Sequence, residues 1–159
     1  MIGDLTPAEI EELLHCETLA RIGCHADGRT FVVPITYGYD GKALIAHSAE
    51  GRKIWMMRAN NHVCVEIEQI KSLGIWRSVI AWGVYEELAG TDAAIALDTL
   101  KARFLAAPVS VSALPPHEPS ADATAGEHKK AIVFRIRLTE KTGRFERRSA
   151  SNAGKSMLK

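Results

Sequence analysis

The sequence predicts a mainly-β protein, a small antiparallel β-barrel that carries peripheral helices. Three observations lead to this fold class. Six segments have the composition or the alternation of strands, and two of them flank Asp40–Gly41, which is a strong hairpin signal. Three further segments have the periodicity and the caps of helices. An open α+β sheet is the competing architecture.

Three helices are predicted, and the first begins after Thr6. Thr6 is a good N-cap, Pro7 suits the first helical position, and Glu9 completes a capping box. The second helix, Gly51–Asn60, begins with charged residues, and the third, Thr91–Ala106, has a threonine N-cap and an acidic first turn. These helices interrupt the strands and are expected to lie outside the barrel wall.

The predicted strands are rich in β-branched and aromatic residues or alternate with a period of two. They are Thr18–His25, Thr30–Tyr39, Ala43–His47, His62–Glu68, Ile75–Leu88 and Ala131–Leu138. Pro34 predicts an edge strand or a local opening, because proline donates no hydrogen bond to a ladder. Gly83 predicts a bulge or a close backbone approach within the longest strand.

Length and composition indicate one globular domain, which is expected to occupy residues 1–148. The chain has 159 residues, of which 47 % are hydrophobic and 25 % are charged. The net charge of +1 favours neither nucleic acid nor a membrane surface, and no segment approaches the ~18 apolar residues of a membrane span. Pro108–Glu127, with four of the six prolines, is predicted to be a long loop, with a lid near the ligand as one interpretation. The basic segment from Arg144 onward, ending in residues 149–159, is expected to be mobile and solvated.

The cysteines and histidines predict no metal site. Cys16, Cys24 and Cys64 make an odd number without CxxC spacing, which argues against a disulfide framework and a zinc ribbon. Cys24 and Cys64 lie in apolar runs and are expected to be buried. The six histidines lack a tight metal-binding spacing. Because the N-terminus also lacks a secretory signal, we expect a cytoplasmic location.

The stretch His47–Lys53 is the most informative for function. A strand ends at Ser48, and a helix begins with Arg52 and Lys53. A helix N-terminus has free N–H groups and the positive end of a dipole, both of which favour an anion. Two cations there oppose the dipole, so their placement favours a bound phosphate. The alternative is a solvated basic helix start.

Taken in order, these features resemble the pyridoxamine 5′-phosphate oxidase-related split-barrel family of flavin-binding proteins, and within it the branch that includes nitroimidazole reductases. The resemblance covers about residues 5 to 105. It is carried by Arg21–Gly23, Val33–Tyr37, Tyr39–Gly41, His47–Lys53, Arg58–Asn60, Val63–Glu66 and Trp76–Val79, followed by Gly83.

The resemblance implies a split barrel that forms a homodimer and binds FMN, or alternatively FAD, at the subunit interface. The family's phosphate-binding pair matches Arg52 and Lys53, and its polar position early in the long strand matches Ser78. The remaining cofactor contacts that it implies are Val33, Pro34, Ile35 and Thr36 on one strand and His47 and Ser48 at the end of the next.

The catalytic residues stay unknown, since a flavin itself carries the electrons. The Trp–Arg substrate pattern of the pyridoxamine phosphate oxidases is not found in Phe134–Arg137, which makes that substrate doubtful. Independently of the resemblance, Trp55, Met56 and Met57 in one short helix predict an exposed apolar patch and therefore a homodimer.

Three functions follow as hypotheses. The first is an FMN-dependent oxidoreductase that acts on an unknown small molecule, with NAD(P)H as a candidate electron donor. The second is a flavin-binding or flavin-storage protein without turnover. The third is a haem-binding split barrel in which a histidine ligates the iron.

Overall fold

The computed structural model describes residues 1–105 and 131–148. Its elements are β1 (Ile2–Asp4), α1 (Pro7–Cys16), β2 (Leu19–Ala26), β3 (Arg29–Thr36), β4 (Gly38–Tyr39), β5 (Ala43–Ser48), α2 (Arg52–Ala59), β6 (His62–Ser72), β7 (Ile75–Glu87), α3 (Gly90–Leu105) and β8 (Ile132–Arg147). All three predicted helices and all six predicted strands are present, with shifted ends. The predicted loop Pro108–Glu127 and the predicted tail 149–159 lie outside the described residues.

The strands form one antiparallel sheet with an opening in it. The strand order is β3-β2-β6-β7-β8-β5-β4, and β1 pairs with β8. Residues of β3 and β5 approach each other, yet these two strands have no ladder between them in the described sheet. The sheet therefore curls into a barrel that is split between β3 and β5, which confirms the mainly-β prediction.

The core fills the barrel and extends under two helices. Val63, Val65 and Ile67 of β6 are buried on one face, as their alternation predicts. The capping box of α1 forms as predicted, because the Thr6 hydroxyl accepts from the Glu9 N–H and the Glu9 carboxylate accepts from the Thr6 N–H. The helical side chains in this core are Ile10, Leu13 and Leu14 of α1 and Ile54, Met56 and Met57 of α2.

Gly83 marks both a bulge and a close approach. Trp82 lies opposite Glu140 and Gly83 lies opposite Leu138, so Thr139 is an extra residue of β8. A Cβ atom on Gly83 would lie 2.6 Å from the carbonyl oxygen of Arg137. Only glycine fits here without displacing backbone, and this confirms the sequence prediction for this position.

The expected mobility of the chain from Arg144 onward is wrong as far as Arg147. These residues belong to β8, where Arg144 lies opposite Asp4 of β1 and Ser78 of β7. Gly143, just before them, is buried, and a Cβ there would lie 2.8 Å from Leu5. The segment is polar because most of its side chains reach solvent, while its backbone is held by strands on both sides.

The expected apolar patch on α2 is also wrong. Met56 and Met57 are buried in the core, and only Trp55 of the three is exposed. Cys24 is buried as expected, but Cys64 is only half-buried because it lies on the outer face of β6. Across the part of the chain that is described, no helix has both the length and the apolar character needed to cross a membrane.

Candidate functional site

Eight of the nine predicted site residues lie on the elements that border the split of the barrel. Val33, Pro34, Ile35 and Thr36 are on β3, His47 and Ser48 end β5, and Arg52 and Lys53 begin α2. Helix α2 packs on β2, the partner of β3, and the Arg52 guanidinium lies 5.8 Å from the ring centroid of Phe31 on β3. One chain thus brings the predicted phosphate residues beside the predicted ring-contacting strand.

Strand β3 offers a free edge to this split. It pairs with β2 on one side, with Pro34 opposite Arg21, and it has no ladder partner on its other side among the described strands. Pro34 is therefore on an edge strand, as the sequence predicts. Val33 and Thr36 are half-buried and Ile35 is buried. Unpaired backbone groups beside apolar side chains suit a flat ligand with a polar rim.

The start of α2 has no capping side chain. Gly51 is the N-cap, no side-chain hydrogen bond caps the helix, and its first turn holds no acidic residue. Such a terminus leaves N–H groups for an external acceptor. The two residues that follow, Arg52 and Lys53, add positive charge at the same point, so the start of α2 favours an anion.

Lys53 is the more buried of these two cations. Burial lowers the pKa of its ammonium below the ordinary value, and the nearby Cys24 thiol offsets this only in part. Within the described residues, neither Lys53 nor Arg52 forms an ion pair with a carboxylate, whereas Arg21 and Arg135 each do. A half-buried ammonium without a carboxylate is costly unless an anion compensates it.

His47 and Ser48 are half-buried at the end of β5, opposite Val133 and Ile132 of β8. The Ser48 hydroxyl donates to the carbonyl oxygen of Ala49 at 2.9 Å. The hydroxyl thus lies at the turn that leads into α2, where it is available as a polar neighbour of a bound anion.

Arg58, in the last turn of α2, holds this helix in place through two carboxylates. Its guanidinium donates to Glu50, in the turn before α2, and to Glu87, at the end of β7. The hydrogen bonds to Glu87 and Glu50 raise the pKa of Arg58. The hydrogen bond from Arg58 in turn lowers the pKa of Glu87. The contact between Arg58 and Glu50 fixes the turn that precedes Arg52. The sequence shows Arg58 but not its partner Glu87, which lies 29 residues away.

Ser78 does not lie at this split within one chain. It is on β7, opposite Glu68 of β6 and Arg144 of β8. Strand β7 is three strand spacings from β3, which is about 14 Å across a sheet. Ser78 lies on the outer face of the barrel, and its assignment to the cofactor stays a prediction.

That outer face contains a groove that the sequence did not reveal. The groove has a volume of about 650 Å³, and four of its residues, Val32, Gly23, Cys64 and Trp82, form one row across β3, β2, β6 and β7. Val32 is 59 % exposed and Trp82 is 41 % exposed. A continuous apolar surface of this kind is typical of an interface.

One polar cluster borders this outer groove. Arg21 donates to Glu66 at 3.3 Å and to Glu68 at 2.5 Å. Burial and the charge of Glu68 raise the pKa of Glu66 despite this contact. In the described ranges, no group of three or more His, Cys, Asp or Glu side chains is placed to hold a metal ion.

Comparison with known proteins places these features in context. The family model for pyridoxamine 5′-phosphate oxidase matches residues 6–145. An uncharacterized protein of Rhizobium meliloti (strain 1021) is 37 % identical over 84 residues, which are 53 % of this chain and 56 % of that protein. The matched region therefore spans little more than half of the length of that relative.

Two solved structures extend the comparison over the whole barrel. An FAD-binding protein of Mesorhizobium loti is 26 % identical with a TM-score of 0.71, and the alignment covers 92 % of this chain and 99 % of that one. An FAD-binding protein of Mycobacterium smegmatis is 25 % identical with a TM-score of 0.63, covering 91 % and 98 %.

Proposed function

The chain belongs to the pyridoxamine 5′-phosphate oxidase family, and from this membership we propose that it binds a flavin nucleotide in the split between β3 and β5. The observation that carries the proposal is the uncapped start of α2, where Arg52 and the half-buried Lys53 have no carboxylate partner among the described residues. A phosphate there accepts charge-assisted hydrogen bonds from two cations and from helix N–H groups.

The isoalloxazine ring is assigned to β3. A flavin ring has a flat apolar face and a polar edge, so it needs an apolar wall and backbone partners. Val33 and Ile35 lie on one face of β3 and Thr36 on the other, and between these faces the free edge of β3 provides unpaired backbone groups. His47 and Ser48 approach the phosphate end, since they lead into the turn before α2.

We further propose that the protein is an FMN- or FAD-dependent oxidoreductase of a small molecule. A bound flavin supplies hydride or single-electron transfer. The chain's own residues then need only hold the phosphate, orient the ring and keep one ring face accessible. The FAD-binding proteins of M. loti and M. smegmatis share the barrel, which supports a flavin as the cofactor.

A homodimer is the third part of the proposal. The outer groove is apolar and exposed, and a second copy of the chain would bury Val32 and Trp82. Ser78 lies on this same face, so in a dimer it faces the partner rather than its own split. This arrangement would reconcile the position of Ser78 with a cofactor contact.

Flavin titration of the apoprotein tests the site. Arg52→Ala with Lys53→Ala should weaken FMN binding at least about tenfold, because each charge-assisted contact contributes roughly 1.5–3 kcal/mol. The matched control is Lys42→Ala with Lys71→Ala, which removes two exposed lysines that lie outside α2, near the β4–β5 and β6–β7 hairpins. Equal FMN affinity in both double variants would contradict the assignment.

The visible spectrum tests the activity. The purified protein is expected to show the flavin bands, to lose them when NADH or NADPH is added without air, and to regain them in air. Flavin bands that neither donor bleaches would favour a binding or storage role. A Soret band without flavin bands would favour the haem-binding alternative.

A further inference from the structure

Glu50 is a carboxylate that lies directly before the proposed phosphate site in the chain. It precedes Gly51, the N-cap of α2, by one residue and Arg52 by two. The free N–H groups and the positive dipole end of a helix start attract an acidic side chain as well as an external anion. Glu50 is therefore an internal competitor for the groups that the flavin phosphate would use.

The Glu50 carboxylate is bound by Arg58, in the last turn of α2, and not by the start of the helix. The Arg58 guanidinium donates to it through Nη1 at 2.5 Å and through Nη2 at 3.3 Å. No side-chain hydrogen bond caps α2, so the carboxylate does not occupy the N–H groups of the first turn. Among the described residues, its ion pair is with Arg58 rather than with Arg52 or Lys53. Both cations are thus left to a ligand.

Arg58 is itself fixed to the barrel by Glu87, the last residue of β7. Its Nε donates to one carboxylate oxygen of Glu87 at 2.5 Å, and its Nη2 donates to the other at 3.2 Å. The hydroxyl of Tyr85, a residue that is 5 % exposed, donates to the same carboxylate at 2.8 Å. A two-point contact to an anchored carboxylate fixes the plane of the guanidinium. Glu87 therefore determines where Arg58 holds Glu50.

We propose that Arg58 is a positioning residue that keeps the Glu50 carboxylate out of the phosphate site, with Glu87 as its anchor. This role rests on the proposed function, because it concerns a flavin phosphate at the start of α2. Without Arg58, the Glu50 side chain, which is 49 % exposed, is free to turn towards the helix start. There it compensates the cations itself and repels a phosphate dianion.

Titration of the apoprotein with FMN and with riboflavin, which lacks the phosphate, tests this role. Arg58→Met should weaken FMN binding about fivefold or more, because the freed carboxylate repels the phosphate, and should leave riboflavin affinity within about twofold. Adding Glu50→Gln to Arg58→Met removes the repelling charge and should return FMN affinity to within about twofold of the wild type. Glu50→Gln alone should change FMN affinity by less than about twofold, since Arg58 already holds this carboxylate.

Arg135→Met is the matched control. Arg135 lies on β8 and donates to Glu86 at 2.6 Å, and its side chain is 45 % exposed, compared with 42 % for Arg58. Its removal breaks a contact of the same kind and should change neither affinity. Circular dichroism checks that each variant is folded. If Arg58→Met is not folded, Arg58→Gln takes its place with the same expected results.

The outcomes separate this role from the proposed function. If Arg58→Met leaves FMN affinity unchanged or weakens FMN and riboflavin equally, or if Glu50→Gln does not restore FMN affinity, the role of Arg58 is overturned and flavin binding stands. A wild type that binds FMN and riboflavin equally overturns the phosphate site together with this role. An apoprotein that binds neither flavin overturns the proposed function as well.

Discussion

Lys53 links burial to the proposed phosphate binding at the scale of one residue. Its ammonium is half-buried, and this burial lowers its pKa below the ordinary 10.5. Because the free folded protein disfavours the charged form, folding stability of the apoprotein should rise as pH rises through the lowered pKa towards 10.5. A bound phosphate reverses this preference, since it stabilises the ammonium.

FMN affinity should therefore fall as pH rises through the lowered pKa of Lys53 towards 10.5, because Lys53 of the free protein then loses its proton while the phosphate stays a dianion. Lys53→Arg should bind FMN with little pH dependence over this interval, because a guanidinium remains charged. FMN titrations of the wild type and of Lys53→Arg at several pH values would measure both affinities. The same slope in Lys53→Arg as in the wild type would contradict the role of Lys53.

Gly83 is the basis of a second prediction at the scale of one residue, which concerns the free energy of unfolding. A methyl group there would lie 2.6 Å from the Arg137 carbonyl oxygen and 2.8 Å from Ile136. Gly83→Ala should lower the free energy of unfolding by about 1–3 kcal/mol, since backbone has to move. Gly74→Ala is the control, because its nearest contact would be 4.0 Å away, and it should stay within about 0.5 kcal/mol. Urea unfolding of both variants provides the measurement.

The helices and strands that could be predicted are those whose sequence signals lie within a few consecutive residues. Helix α1 is specified by Thr6, Pro7 and Glu9, which lie within one turn of each other and form the expected cap. Strand β1, with three residues, and the end of β8 were missed because long-range pairing holds them. Their side chains are largely exposed, so they carry no apolar alternation that could reveal a strand.

The candidate site shows the same contrast between features with local sequence signals and features formed by long-range pairing. The start of α2 and the strand with Pro34 were predictable because each motif occupies a few consecutive residues. The outer groove was not, because Gly23 and Trp82 come together only through the registers of β2, β6 and β7.

The cap of α1 makes a prediction at the scale of an element. The Thr6 hydroxyl accepts from the Glu9 N–H at 3.3 Å, so Thr6→Ala should cost about 1 kcal/mol of unfolding free energy. Thr99 is the matched control, because its hydroxyl donates to the Ile95 carbonyl within the exposed face of α3. Thr99→Ala should be nearly neutral. If Thr6→Ala and Thr99→Ala lose similar amounts of unfolding free energy in thermal or urea unfolding, the cap of α1 does not contribute specifically to stability.

For the whole molecule, the proposed homodimer predicts a mass near twice 17.4 kDa. Trp82→Glu should shift the mass towards the monomer, because it places a charge in the outer groove. Ile95→Glu makes a comparable change on α3, where Ile95 is 60 % exposed, and should leave the mass unchanged. Light scattering at micromolar concentration measures both. A wild-type monomer, or a dimer that survives Trp82→Glu, would contradict an interface at this groove.

The central position of β8 has a consequence for biosynthesis. This strand pairs with β1, β5 and β7, and its partner on β1 lies more than a hundred residues earlier, as with Ile2 and Glu146. A ribosome releases the chain from its N-terminus, so β5 and β7 emerge with open edges and wait for their shared neighbour. Unpaired edges of this kind promote association between chains. The nascent protein is thus most vulnerable to aggregation shortly before residues 132–147 leave the ribosome, and a chaperone that covers the edges during that interval would raise its yield.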